Sequence, residues 1–161
     1  MAGMQVIYKY PHPNLRIRAT DVSPEELNSD ATNWLIGALI DTMEANDGAG
    51  LAATQIGYNK RVAVIRDIEA VDPESVHMVL INPRFGPLPP LELVFGVEGC
   101  LSIPEREFVV GRYPRITVFS DLQDGGRREI DLSDFLARVA QHEIDHLDGI
   151  TIADRGIREQ M

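Results

Sequence analysis

Gln141-His142-Glu143-Ile144-Asp145-His146-Leu147-Asp148-Gly149 sets a polar cluster into an otherwise apolar helical pattern. Leu136, Val139, Ala140, Ile144 and Leu147 recur around it at helical spacing, Ser133 stands where an N-cap belongs, and Asp148-Gly149 supplies a stop. A helix from Ser133 to Leu147 is therefore expected. On it His142 and His146, four residues apart, point the same way and can chelate one divalent ion. Glu143, one residue round the helix, is close enough to handle a proton of water beside that ion. This is the HExxH arrangement, the geometry of metal-assisted hydrolysis. Five residues can match by chance on a solvated face, but the apolar flanks mark a packed helix and the chain holds only 4 histidines.

A catalytic metal site keeps three protein ligands and an open position, so a third donor must come from elsewhere in the chain. Composition alone would make a lone cysteine a small buried hydrophobe. The neighbours of Cys100 argue otherwise: in Glu98-Gly99-Cys100-Leu101-Ser102, Gly99 lets backbone come close and the thiolate offers a soft ligand. A third segment is Gly48-Ala49-Gly50-Leu51-Ala52-Ala53-Thr54-Gln55. Its small residues leave room for another backbone alongside. Gln55 offers a neutral amide N–H to an oxyanion.

Upstream of that segment, Ser23-Pro24-Glu25-Glu26 combines a serine cap, a proline at the first position and a glutamate placed to close a capping box. A helix from Pro24 to Ala45 is expected, with Leu27, Ala31, Trp34, Leu35, Ala38, Leu39 and Met43 forming its apolar stripe. Runs rich in β-branched residues at Val62–Ile65, Met78–Ile81 and Arg115–Phe119 read as strands, and Asp124-Gly125-Gly126 turns a hairpin into Arg127–Ile130. The C-terminal dozen residues read as irregular. One helix, a set of antiparallel strands and a late helix with polar residues turned inward give an α+β domain. Antiparallel sheets should pack around the HExxH helix, in a single domain over residues 1–161.

At 161 residues, 44% hydrophobic and 25% charged, the chain has the length for one core and one active site. A net charge of −10 would repel phosphate backbones and anionic lipid, so neither nucleic acid nor a membrane is an expected partner. The start lacks a signal peptide's apolar run, and one cysteine excludes an internal disulfide. A cytoplasmic home is the expectation.

Taken together and in order, GAGLAATQ, EGCLS and QHEIDHLDG closely resemble the three signature motifs of the peptide deformylases. Tyr10-Pro11-His12-Pro13-Asn14-Leu15-Arg16 and Ile81-Asn82-Pro83 extend the similarity to about Ile152. The resemblance implies removal of the formyl group from the N-terminal formyl-methionine of nascent polypeptides, releasing formate. It implies Cys100, His142 and His146 as metal ligands, Glu143 as general base and acid, and Gln55 with the Leu101 N–H as the oxyanion hole. It also implies that the peptide lies as an added strand along Ala49 and Gly50, and that Glu98 and Arg112 form a charged pair bracing the cysteine-bearing loop. Phe135 and Val139, two turns and one turn before His142, are candidates for the methionine pocket; ordinary core packing would serve them equally well. Asp145 receives no role.

Two imidazoles and a thiolate suit zinc, ferrous iron, nickel or cobalt; the resemblance implies ferrous iron, one per chain. A monomer is expected. Few residues follow His146, so a C-terminal helix that in many relatives helps dock on the ribosome is not expected here, and ribosome proximity would be transient. Arg138, one turn before His142, stands where some relatives carry an apolar pocket residue and is expected to shift substrate preference. A zinc endopeptidase would usually take its third ligand downstream of the helix, where Glu159 is the sole glutamate. A metal-stabilised binding domain or thiol sensor would not need Glu143 and Gln55.

Overall fold

The computed structural model describes residues 2–90 and 92–158. Its first helix, α1 (Asp30–Ala45), is followed by strands β1 (Gly50–Ala52), β2 (Val62–Arg66), β3 (His77–Ile81) and β4 (Arg84–Phe85). Next come β5 (Val94–Cys100), β6 (Ile103–Arg112), β7 (Arg115–Asp121) and β8 (Arg127–Ser133). The chain then forms α2 (Asp134–Leu147), a one-turn α3 (Ile152–Arg155) and β9 (Ile157–Arg158). The strands pair antiparallel in three sheets of order β1-β2-β3, β4-β7-β8 and β5-β6-β9. The expected α+β architecture around a late central helix is what forms.

β2 explains how the layers meet. Its run Val-Ala-Val-Ile is buried on both faces, the pattern of a strand with cover on each side. Val62 and Val64 pack with Leu35, Ala38, Leu39 and Met43 of α1. Ile65 joins Met78 and Leu80 in a second cluster closed by Ile116, Val118, Ile130 and Leu132 and by Leu136, Val139, Ala140 and Ile144 of α2. Helix α2 is thus enclosed by sheet on more than one side. From Val139 to Leu147 every residue is buried, so its polar side chains have no water to fall back on. Among the described residues, no helix is long and apolar enough to cross a membrane.

Three expectations are corrected. Helix α1 begins at Asp30 and not at Pro24, because Ser29 is the working cap: its hydroxyl accepts from Thr32 N at 3.2 Å. The Glu26 carbonyl is taken up by the Ser29 and Thr32 hydroxyls, at 2.8 and 2.7 Å, which holds residues 24–28 in turns. On the same helix Thr32 is buried, whereas Ala31 is exposed and Trp34 lies outside against Tyr58. The hairpin of β5 and β6 went unread because buried Glu98 and Arg112 break its apolar alternation. The C-terminal stretch forms regular elements through Arg158 where irregularity was expected, and Glu159 with the last two residues lies outside the described residues. Thr151 caps Ala153 N at 3.2 Å, Ile152 is buried, and β9 pairs with Phe108 and Val109.

Candidate metal centre and cleft

Helix α2 delivers His142 and Glu143 to the wall of a cleft that the end of β5 lines with Cys100, and it holds His146 buried next to them. The β5–β6 register shifts between Glu98 and Cys100, a bulge that re-aims the cysteine without breaking the hairpin. Cys100 Sγ lies 3.3 Å from His146 Nε2, and the two histidine Nε2 atoms are 3.2 Å apart. All three donor atoms fall within 4.8 Å of one another. His142 Nδ1 donates to Glu98 Oε1 at 2.9 Å, a contact that turns Nε2 toward the other imidazole. A soft thiolate with two imidazoles fits a divalent transition ion.

Electrostatics without a metal point the same way. Burial pushes the Cys100 thiol up, but the charges and hydrogen bonds of His146 and His142 outweigh it and hold the thiol well below its usual range. Burial works against the charged form of His142, yet Cys100 and Glu98 raise it well above an ordinary imidazole. Without a metal, each shift favours the charged form, thiolate at Cys100 and imidazolium at His142. Glu143 is 3% exposed, and its Oε2 has no hydrogen-bond partner. Burial drives its carboxyl up to about 6, with the two histidine charges pulling against that rise. A carboxyl poised there can both take and give a proton near neutrality.

Glu98 and Arg112 do more than pair. Arg112 Nε and Nη2 reach the two Glu98 oxygens at 2.9 and 3.0 Å, and its Nη1 reaches Asp145 Oδ2 at 2.6 Å. Burial alone would raise the Glu98 carboxyl, but His142 and the Arg112 guanidinium hold it far below the usual carboxylate range. Arg138, expected to alter the pocket, spends its donors on Glu98 Oε2 at 2.7 Å and on the carbonyls of Val94 and Val110. Asp145, left without a role by the sequence, is a buried member of this network. Its signal was available: an acid on the enclosed side of a packed helix must have a cationic partner.

Opposite the helix, Gln55 is 2% exposed in a 3-10 turn over Ala53–Ile56. Its Oε1 accepts from Ala52 N at 3.0 Å, and its Nε2 donates to Ser102 Oγ at 3.1 Å, with Cys100 Sγ 3.7 Å away. Ser102, in the same motif as Cys100, orients the amide. The cysteine turn is tied from the N-terminal segment by Lys9 Nζ to the Leu101 carbonyl at 3.0 Å and Tyr10 N to the Ser102 carbonyl at 2.8 Å.

The small-residue segment finds a specific use. A Cβ on Gly50 would sit 2.7 Å from Glu143 Oε1, so glycine is what lets this carboxylate approach the strand. Gly99, thought to allow crowding, has nothing within 4 Å of a Cβ position; it leaves cleft space open. The cleft measures about 560 Å³ and is lined by Ala49, Gly50, Gln55, Gly99, Cys100 and Leu101 on one side and by Phe135, Val139, His142 and Glu143 on the other. Phe135 is half exposed there, while Val139 also belongs to the core.

A thiol and two imidazoles converging beside a buried, unpartnered carboxylate, on an HExxH helix and in an open cleft, define a class: the metal-dependent hydrolases. The family model described as polypeptide deformylase matches residues 4–160, and the chain belongs to that family. A peptide deformylase of Dictyoglomus thermophilum is 38% identical over 155 residues, covering 96% of this chain and 94% of the relative. One of Chromohalobacter salexigens is 37% identical over 152 residues, covering 92% and 83%. Among solved structures, the Met-Ala-Ser-bound class I type b peptide deformylase of Acinetobacter baumannii superposes with a TM-score of 0.86 at 31% identity, covering 96% of this chain and 99% of that one. The peptide deformylase of Thermotoga maritima gives 0.84 at 36% identity, covering 94% and 97%. Metal-dependent removal of N-formyl groups is the activity of this family.

Proposed function

We propose that this chain removes the formyl group from the N-terminal formyl-methionine of nascent polypeptides, with Cys100, His142 and His146 holding one ferrous ion and Glu143 carrying the proton. The observation that supports it most is the meeting of three donor atoms with a buried carboxylate that lacks a partner. When bound, the cation supplies Lewis acidity to the formyl oxygen and lowers the pKa of an adjacent water.

The chain's own groups do the rest. Glu143 Oε2 takes a proton from the attacking water as its oxygen bonds to the formyl carbon. Glu143 then gives that proton to the amide nitrogen as the C–N bond breaks; the remaining hydroxyl proton passes from the released acid to the amine, so formate leaves and the peptide keeps a free, protonated amino terminus. Gln55 Nε2 and the Leu101 N–H face the oxygen on which negative charge gathers, donors oriented before reaction begins. The methionine side chain lies on the Phe135 and Val139 wall. The peptide backbone runs beside Ala49 and Gly50 as an added strand. A thiolate ligand needs a reducing compartment, which favours the cytoplasm, and action as a monomer near the ribosome fits a mouth open enough for a growing chain. The Met-Ala-Ser peptide bound to the Acinetobacter baumannii relative is the product type this reaction leaves.

The test is formate release from a formyl-methionyl tripeptide by protein prepared anaerobically with ferrous iron. Stoichiometric formate and free methionyl peptide are expected. No formate from protein holding one metal ion per chain would overturn the reading.

A further inference from the structure

Arg155 lies outside the cleft, on α3, and touches no proposed ligand. It clasps Asp145 with two bonds: Nε to Oδ2 at 2.6 Å and Nη2 to Oδ1 at 2.8 Å. Asp145 is 6% exposed, and its other cationic partner is Arg112, itself 4% exposed. Arg112 divides its donors, with Nε and Nη2 serving Glu98 and Nη1 serving Asp145. Glu98 Oε1 in turn accepts from His142 Nδ1. A continuous chain of charge-assisted hydrogen bonds thus runs from the C-terminal turn to an imidazole of the metal centre.

We infer that Arg155 is a positioning residue for the metal centre: by saturating Asp145, it leaves Arg112 free to hold Glu98, and Glu98 to hold His142. This rests on the proposed metal site and adds to it a dependence on the C-terminal turn. The reasoning is one of donor supply. A buried carboxylate needs its oxygens satisfied, and a guanidinium is a rigid fork that cannot serve two acids fully at once. Without Arg155, Asp145 Oδ1 loses its guanidinium and Arg112 becomes the one cation left to Asp145, while Arg138 still holds Glu98 Oε2 but not the Oε1 that faces His142. Rotation of that fork toward Asp145 withdraws Nη2 from the Glu98 oxygen that orients His142. The defect reaches the metal as a loosened ligand, although Arg155 is half exposed and four hydrogen-bonded links from His142.

Metal retention tests this apart from turnover. Protein is loaded with Co²⁺, and decay of the thiolate-to-cobalt absorption is followed after adding excess chelator. The variants are Arg155→Ala, Arg155→Lys, Asp145→Asn and the Asp145→Asn/Arg155→Ala double. Release on the order of tenfold faster than wild type is expected for Arg155→Ala, with Arg155→Lys in between because one ammonium cannot bridge both oxygens. In the Asp145→Asn background, removing Arg155 should change the rate less than twofold. Wild-type release from Arg155→Ala, or from Arg155→Lys should the alanine variant not fold, overturns the inference. So does an undiminished Arg155 effect in the Asp145→Asn background. Absence of a thiolate–cobalt band in wild type would overturn the proposed metal site, and this inference with it.

Discussion

Adding a single methyl group at Gly50 should disable the chemistry without touching a ligand. The built Cβ of Gly50→Ala meets Glu143 Oε1 at 2.7 Å, Cγ at 2.9 Å and Cδ at 3.0 Å, where ordinary contact begins at 3.4 Å, so the carboxylate must yield by about 0.7 Å. Glu143 sits on a helix held in the core by Val139, Ala140 and Ile144, so the shift falls on the side chain and not on the backbone. Overpacking of this kind costs about 1–3 kcal/mol of stability. The kinetic effect is larger in proportion, since a displacement approaching 1 Å in a reacting group costs on the order of 100-fold in rate. The assay is steady-state formate release together with bound-metal analysis of the same preparation. A kcat drop near two orders of magnitude, with metal content unchanged, is the expected result. Wild-type kcat would refute the claim that glycine is required for the approach of Glu143, and loss of metal would refute the separation of proton carrier from ligands.

Other consequences follow from the same contacts. Glu98→Gln keeps the shape but leaves Arg112 and Arg138 facing a neutral amide. Thermal unfolding should report a loss of about 3–5 kcal/mol, and chelator competition a metal affinity weakened about 10- to 100-fold. Ser102→Ala removes the acceptor for Gln55 Nε2; it should cost about 1–3 kcal/mol in denaturant unfolding and lower kcat more than it raises KM. In the metal-free protein, Glu143 is raised by burial to about 6 from 4.5, so the folded state binds its proton more tightly and stability falls as pH rises from 4.5 through 6. Glu143→Gln should therefore stabilise the metal-free protein by about 2 kcal/mol above pH 7, the gain vanishing below pH 4.5 in urea titrations.

Some of this was legible in the sequence because one period dominated. Helix α2 repeats apolar residues at 3.6 spacing, and its histidines can point nowhere but to one side. That period carries His142 and His146, whereas Cys100 is legible only from its neighbours in Glu98–Ser102. The β5–β6 hairpin was not legible, since its inward positions include Glu98 and Arg112, which no apolar pattern reveals. Their burial becomes sensible only when Arg138, Asp145 and His142 arrive from a helix distant in sequence. The same holds for Arg155, whose partner lies ten residues away across a turn made at Gly149, where φ is +76° and a Cβ would strike the Arg16 carbonyl at 2.5 Å. The start of α1 was misplaced for a local reason: two serines offered caps, and the side chains of Ser29 and Thr32 decided between them.

The central claim is that Glu143 moves the proton while Cys100, His142 and His146 hold the metal. Its most direct test measures kcat and metal content on the same anaerobic samples of wild type and Glu143→Ala. The account predicts one metal ion per chain in both and formate release in wild type alone. Turnover by the alanine variant at a rate near wild type would contradict it.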